Sequence, residues 1–281
     1  MNYRLARILI RLLPVFLLVS CKTGLYYATR FVAEEEEIHV LLLPPPGLIT
    51  TFLPHHPDSV PGEPSPAIDQ EKVRFVHEVD DSAYVRIFME SIRHHLGRFY
   101  VRVYGPDQMD AFNELDTTAF IFRVAQLELL EYIARETFVG RIRSREFRET
   151  VELTFLENNV WFEFSRTDEP DIPPEVLYSA FSTSDYIDGR FVTRRETGET
   201  VFVPEAYLLG EEDVRDLAYL SGRQNAQHIF DHLLNTYVAR EMDEPPPYYY
   251  HYDLRQHTIR EQLHPGFIRI GSAETQGENQ P

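Results

Sequence analysis

The sequence predicts an α+β fold: two layers, with a mostly antiparallel sheet covered on one face by two long helices. Two segments place apolar residues at helical spacing. One carries Val85, Phe88, Met89, Ile92 and Leu96; the other carries Val214, Leu217, Leu220, Ile229, Phe230, Leu233, Leu234 and Tyr237. Between them several strand-like stretches follow one another, with no intervening helices to make parallel crossovers. The chain can also fill a core, since 43% of its 281 residues are hydrophobic, including 19 Phe and 16 Tyr.

In chain order, Arg4, Arg7 and Arg11 precede and flank an apolar run from Leu12 to Val19. That run falls short of the roughly 20 apolar residues of a bilayer span but suits a secretory signal peptide over residues 1–20. It ends in Leu18-Val19-Ser20-Cys21, which looks like the lipobox of bacterial lipoproteins: a branched apolar residue, a tolerant position, a small residue and a cysteine. The resemblance implies cleavage between Ser20 and Cys21, a diacylglycerol on the Cys21 thiol, and a further acyl chain on its new amine. At about 0.8 kcal/mol per buried methylene, such an anchor is effectively permanent. Lys22 stands where Asp would tend to hold a Gram-negative lipoprotein in the inner membrane, so the resemblance implies an outer-membrane address. The stretch after Cys21 lacks an immediate acidic run, which favours the periplasm-facing leaflet.

Residues 21–37 read as a lipidated tether ending in the solvated run Glu34 to Glu37. A domain is expected over 38–240. It begins with a buried strand, Ile38 to Leu43, and a Pro-rich loop over 44–70. Asp81 or Ser82 can cap a helix that runs to Leu96, with Gly97 ending it. Phe99 to Tyr104 alternates as a half-buried strand, and Gly105-Pro106-Asp107 turns into a short helix near 108–114. Residues 118–133 fit either a long strand or a helix. Aromatic and β-branched residues at their start favour the strand. Val151-Leu153-Phe155 and Val160-Phe162-Phe164 lie on opposite parities, so a bulge or turn is expected at Asn158-Asn159. A strand over 176–186 and a hairpin over 191–203, turning at Gly198, precede the second long helix over 211–240. Acids crowd the first turn of that helix and Arg240 lies in its last, as the helix dipole favours. Residues 241–281 read as a Pro/Tyr-rich segment with a disordered tail.

The formal net charge is −18, and losing residues 1–20 with their three arginines would leave about −21. Such a surface repels nucleic acid, so no nucleic-acid partner is expected. Only Lys22 and Lys72 are lysines, a bias that either GC-rich codon usage or adaptation to high salt produces. A single cysteine excludes an intramolecular disulfide and a cysteine metal cluster.

Chemistry-bearing patterns are sparse. There is no Gly-x-Ser-x-Gly elbow, and Ser182-Thr183-Ser184-Asp185 falls in an expected strand. No glycine-rich phosphate loop occurs. His228 and His232 stand one helical turn apart and are the weak metal candidate, without the Glu beside the first His that a zinc protease uses. The neighbouring pairs His94-His95 and His55-His56 diverge, and acid pairs such as Glu128 with Glu131, or Asp80 with Asp81, are uninformative among 45 acids. Tyr248, Tyr249, Tyr250 and Tyr252 follow three prolines. They suit contact with a partner or a glycan, or alternatively a final strand packed back on the domain. No catalytic residue, cofactor or resident metal is expected.

The lipobox and the element order resemble small α+β lipoproteins that assist envelope machinery, including the lipoprotein partner of the lipopolysaccharide-transport barrel and activators of peptidoglycan synthases. Asn159-Val160-Trp161-Phe162-Glu163 and the segment around His228-Ile229-Phe230-Asp231 are similar to uncharacterised Bacteroidetes-type outer-membrane lipoproteins. These resemblances imply a non-catalytic binding or accessory module in envelope assembly, transport or wall maintenance. Its partners would be the membrane, through the lipid, and an envelope protein. The alternatives are a periplasmic hydrolase with an acid/His site and a glycan-binding lipoprotein.

Overall fold

The computed structural model describes residues 24–33, 37–53, 73–142 and 144–271. The expected signal peptide over residues 1–20, the expected cleavage site at Ser20 and Cys21, most of the Pro-rich loop and the last ten residues lie outside that set. In chain order the elements are helix α1 (24–33), strands β1 (Ile38–Leu43) and β2 (Leu48–Leu53), helix α2 (Asp81–Gly97), strand β3 (Val101–Tyr104) and helix α3 (Met109–Asn113). Five strands follow: β4 (Phe120–Ile142), β5 (Arg145–Arg166), β6 (Glu175–Ser184), β7 (Tyr186–Thr193) and β8 (Thr200–Tyr207). Helix α4 (Glu211–Glu241) and strands β9 (Tyr249–Asp253), β10 (Thr258–Gln262) and β11 (Ile268–Ile270) complete the chain. The class is α+β, with mostly antiparallel strands.

The main sheet runs β11-β6-β5-β4-β1-β3, with β2 beside β4 farther along. Strands β1 and β2 both lie parallel to β4, and β3 lies parallel to β1. The other pairings are antiparallel. The ambiguous stretch 118–133 is strand, and it continues to Ile142. Its helix-like signal has a cause. The β4–β5 register shifts between Val124 and Gln126, so the buried residues are Phe122 and Val124 before the bulge but Leu127 and Leu129 after it.

The expected bulge or turn at Asn158-Asn159 is absent. Strand β5 pairs with β4 without a break there, Asn159 against Glu128 and Asn158 against Leu129. The parity changes because the two halves of β5 are covered on opposite faces. Leu156, Val160, Phe162 and Phe164 face the core that α2 and α4 share, whereas Phe147 and Phe155 lie on the other face.

Helix α2 is capped by Asp80, one residue before the expected cap, whose side chain accepts from Ala83 N at 3.0 Å. Its Phe88, Ile92 and Leu96 join Leu217, Ala218, Ile229 and Leu233 of α4 in the main core. The short helix α3 lies elsewhere: Phe112 joins Leu41, Tyr104 and Ala119 in a separate cluster. Thus β1 is covered on both faces, which explains its continuous apolar run.

Three further expectations are corrected. Residues 24–33, expected within the tether, form a helix, because buried Gly24 and Ala28 with half-buried Tyr27 and Phe31 recur at helical spacing and dock on α4, Phe31 5.8 Å from Phe230. The Pro-rich loop 44–70 contains strand β2, whose Leu48 to Leu53 pair with Leu127 to Tyr132. The domain does not stop at 240, since Tyr250 and Phe267 are each 1% exposed and belong to the core.

The α2–α4 crossing depends on Gly222, because a Cβ there would lie 2.5 Å from the carbonyl oxygen of Phe88. Helix propensity alone would make Gly222→Ala stabilising by about 1 kcal/mol. The clash with backbone should reverse that sign and destabilise by about 1–3 kcal/mol in a denaturant melt. A stabilised G222A protein would show that the helices are not in this contact.

Candidate functional site

Among the described residues, neither β2 nor β6 flanks the β4–β5 hairpin beyond the rung that pairs Tyr132 with Phe155. Its last ten rungs, from Ile133–Thr154 to Ile142–Arg145, project from the body. At about 3.3 Å per residue this arm is about 30 Å long. The β7–β8 hairpin rises beside it from Asp185, whose backbone N–H bonds Thr154 O at 2.8 Å.

Aromatic rings join the two hairpins. Phe138 stacks on Phe202 at 5.1 Å, Phe191 meets Phe202 at 5.2 Å, and Phe147 meets Phe191 at 6.0 Å. Gly140 and Gly189 make room for the rings of Phe191 and Phe202, which would collide with a Cβ at either position. The base of the arm is fixed by charge. Asp185, 4% exposed, accepts from Thr154 N and Leu209 N at 2.8 Å each and from the Arg74 guanidinium at 3.2 Å. Glu131, fully buried, accepts from the backbone N–H groups of Arg74, Phe75 and Val76 at 2.8–3.1 Å.

The arm and helix α1 occupy opposite poles. Arg30 of α1 lies 3.8 Å from Glu241 at the end of α4, and Arg240 lies 4.0 Å from Asp168, just past β5. There Arg166 pairs with Phe120, the first residue of β4, and Phe120 pairs with Val40 of β1. Strand β4 then runs 23 residues to the arm tip.

The arm also departs from the charge of the rest. Arg141, Arg145, Arg190, Arg194 and Arg195 are exposed, and no ion pair engages them among the described residues. Arg148 pairs with Glu146 at 2.8 Å. Phe191 lies over Gly140 and meets Phe147, which shares a rung with Gly140, so the outer parts of the two hairpins are neighbours.

The residues singled out from sequence fall in other places. Cys21 and Ser20 lie outside the described residues, as do His55 and His56. Tyr250 and Tyr252 are buried at 1% and 7%, so they serve the core, and Tyr248 and Tyr249 are half-buried. Among the described residues no helix is long and apolar enough to cross a membrane.

The polar side of α4 holds β9 in place. Asn235 donates to Tyr250 O at 2.7 Å and accepts from Tyr250 N at 2.8 Å. Asp231 accepts from Tyr252 N at 3.0 Å, and Gln227 donates to Tyr252 O at 3.0 Å. Gln227, Asp231 and Asn235, spaced four apart, therefore offer β9 the donors and acceptors of a neighbouring strand. Asp231 also bonds the His251 ring at 2.7 Å, a pair that sequence spacing did not reveal. No hydroxyl or thiol is bonded to His251 among the described residues. Ser182 and Ser184 lie on β6, and Asp185 is committed to the arm base.

His228 and His232 share a helix face, and their rings pack among aromatic side chains. Both rings meet Phe267, at 5.4 and 6.1 Å, and His232 also packs edge-on against Phe164 at 4.6 Å. No group of three or more possible ligands gathers among the described residues. Burial, with Arg269 nearby, lowers His232 to about 3; burial and the charge of His251 lower His228 to about 4. Glu128 accepts from Thr51 at 2.8 Å, Asp80 caps α2, and His95 bonds the Tyr219 hydroxyl at 3.1 Å.

A cavity of about 740 Å³ lies between α1, the end of α2, Phe230 of α4, Tyr252 of β9 and strands β1 and β3. Phe31, Phe99, Phe230 and Tyr252 form its apolar wall, with Glu37 and Arg102 paired at 3.3 Å among its lining.

No family model matches the chain, and no curated protein matches it in sequence. Among solved structures, the chain is similar to the crystal structure of a neuraminyllactose-binding hemagglutinin homolog from Helicobacter pylori. The identity is 10% and the TM-score 0.31, over 75% of this chain and 95% of that one. At that level the likeness fixes neither fold nor function.

Because His228 and His232 are held neutral, the unfolded chain binds more protons below their ordinary pKa of 6.5. Stability is therefore present above about 6.5 and lost as pH falls toward 4 and 3. Replacing His232 by Phe keeps the ring contacts and removes one share of that loss, about 2–3 kcal/mol between pH 7 and 4.5. Melts of parent and H232F at the two pH values should diverge accordingly; parallel behaviour would contradict the buried neutral histidine.

Proposed function

We propose that the protein is a non-catalytic outer-membrane lipoprotein, anchored through Cys21 in the periplasm-facing leaflet. It serves as a binding module in envelope assembly, transport or wall maintenance, and the two-hairpin arm is the element it offers to its partner. In this reading the body has two layers, with the long helices α2 and α4 forming one and the sheet the other.

The observation that supports the reading is the separation of the poles. A lipid at residue 21 would emerge close to α1, and the arm leaves from the far end of β4. An element that is far from the membrane, exposed on most of its surface and stiffened by stacked rings suits reach and contact better than it suits enclosing a substrate. Val139, Val203, Tyr186 and Tyr207 add apolar area along it, each between 44% and 64% exposed. The hydrolase alternative has one specific observation in its favour, the Asp231–His251 pair. Stoichiometric zinc in purified protein would turn the choice toward it.

Two outcomes are expected in the native host. Cys21→Ser should move the protein from the membrane pellet to the soluble fraction, and retention in the pellet would contradict the anchor. A photo-crosslinking residue at Val139 or Val203 should capture a discrete partner that the same residue at exposed Leu263 does not. Capture from Leu263 with none from the arm would contradict the arm as the contact element.

A further inference from the structure

From the charge and position of the arm tip we infer a more specific partner: a hydrated anionic glycan polymer bearing carboxylate groups, such as the cell wall presents. The inference rests on the arm being the partner-facing element. It adds the chemistry of what that element meets.

The chain as a whole carries −18. Against that background, Arg141, Arg145, Arg190, Arg194 and Arg195 gather on the two adjacent hairpins, exposed and without an ion pair among the described residues. Glu146 and Glu149 in one hairpin and Glu196 and Glu199 in the other leave an excess of positive charge around the turns. The guanidinium fork matches a carboxylate with two parallel hydrogen bonds, and several forks on one surface recognise a repeated anion better than a single one. The acidic remainder repels any polyanion, this one included, which confines such contact to the tip.

The tip residues also separate a glycan from a bilayer. The turn Arg194-Arg195-Glu196-Thr197-Gly198 and the neighbouring Ser144-Arg145 carry no large apolar side chain for insertion among lipid tails. The rings nearest the tip, Phe138, Phe147, Phe191 and Phe202, pack on one another between the hairpins and hold them together, whereas the exposed Tyr186 and Tyr207 lie at the base of the arm. Strand β4 spans about 70 Å at 3.3 Å per residue, so the tip would act well away from the leaflet holding the lipid.

The test is co-sedimentation of the full-length detergent-solubilised protein with purified peptidoglycan sacculi. Three comparisons accompany it: sacculi with amidated carboxyls, vesicles rich in anionic phospholipid, and the variant R141Q/R145Q/R194Q/R195Q with its fold checked by circular dichroism and thermal melting. The parent should pellet with native sacculi at low salt, bind amidated sacculi poorly and release as salt is raised. The quadruple variant should lose about tenfold or more in apparent affinity. A control variant, R215Q/R255Q, removes two exposed arginines from the body and should bind as the parent does.

Parent protein that stays in the supernatant, a quadruple variant that pellets like the parent, a control that loses as much, or a preference for vesicles over sacculi would each overturn the inference. If Val139 and Val203 still cross-link a partner while sacculi are ignored, the glycan assignment fails alone. If the arm captures nothing and sacculi are ignored, the arm as contact element fails with it.

Discussion

The structure depends on one antiparallel ladder, between β4 and β5, being covered on opposite faces along its length. Near Phe120 and Phe164 its covered face receives α2 and α4. Past Tyr132 and Phe155 the opposite face receives the β7–β8 hairpin. Because strand side chains alternate strictly, this exchange needs no break in the backbone pairing, only a change in which parity is apolar. The ladder can therefore belong to the body and to the arm at once. A two-stranded ribbon alone is marginal in water, and the stacking of Phe138, Phe147, Phe191 and Phe202 supplies the apolar burial that it lacks.

Buried charge holds the junction where the exchange occurs. Glu131 sits at the upper end of the body with three backbone N–H groups on its oxygens, and Asp185 ties Arg74, Thr154 and Leu209 together. Each carboxylate is costly to bury unless its acceptors are satisfied, and here they are. Both hold the segment from Arg74 to Val76, and Asp185 also opens the chain's path into the β7–β8 hairpin. On α4 the side chains of Gln227, Asp231 and Asn235 answer the backbone of β9 in the same way, with the Asp231 carboxylate also meeting the His251 ring. Between these two clusters, Asn158 donates to Ser221 and Ser179 donates to Asn225, each at 2.6 Å, so these polar side chains buried between the sheet and α4 are also paired.

Much of the architecture was legible in the sequence because it rests on periodicity. The apolar faces of α2 and α4, the strand β6 and the hairpin turning at Gly198 all follow from local spacing, and Gly198 does take a positive φ of 69°. The misreadings have physical causes. A bulge at Val124–Gln126 made Leu127 and Leu130 mimic a helix, and a change of covered face made β5 look broken at Asn158. Helix α1 was hidden by the glutamates after it, and β2 by the prolines around it. Of the arm, the β7–β8 hairpin was legible but its partnership with 133–154 was not. Its outer residues are charged and its inner ones are aromatic rings paired with distant glycines, Gly140 with Phe191 and Gly189 with Phe202. Tyr250 and Tyr252 looked like contact residues because segment composition does not reveal which face a final strand buries.

The separation of the two poles is the claim on which both the fold and the proposed role stand. It can be measured as a distance between spin labels at Thr29→Cys in α1 and Ser144→Cys at the arm tip, in protein whose Cys21 is replaced by Ser. From about 22 strand steps at 3.3 Å, less the shortening of a twisted ribbon, a single distribution centred at about 60–70 Å is expected. A distribution centred below about 40 Å would mean that the arm folds back on the body, and the ladder could not then carry its tip away from the anchored end.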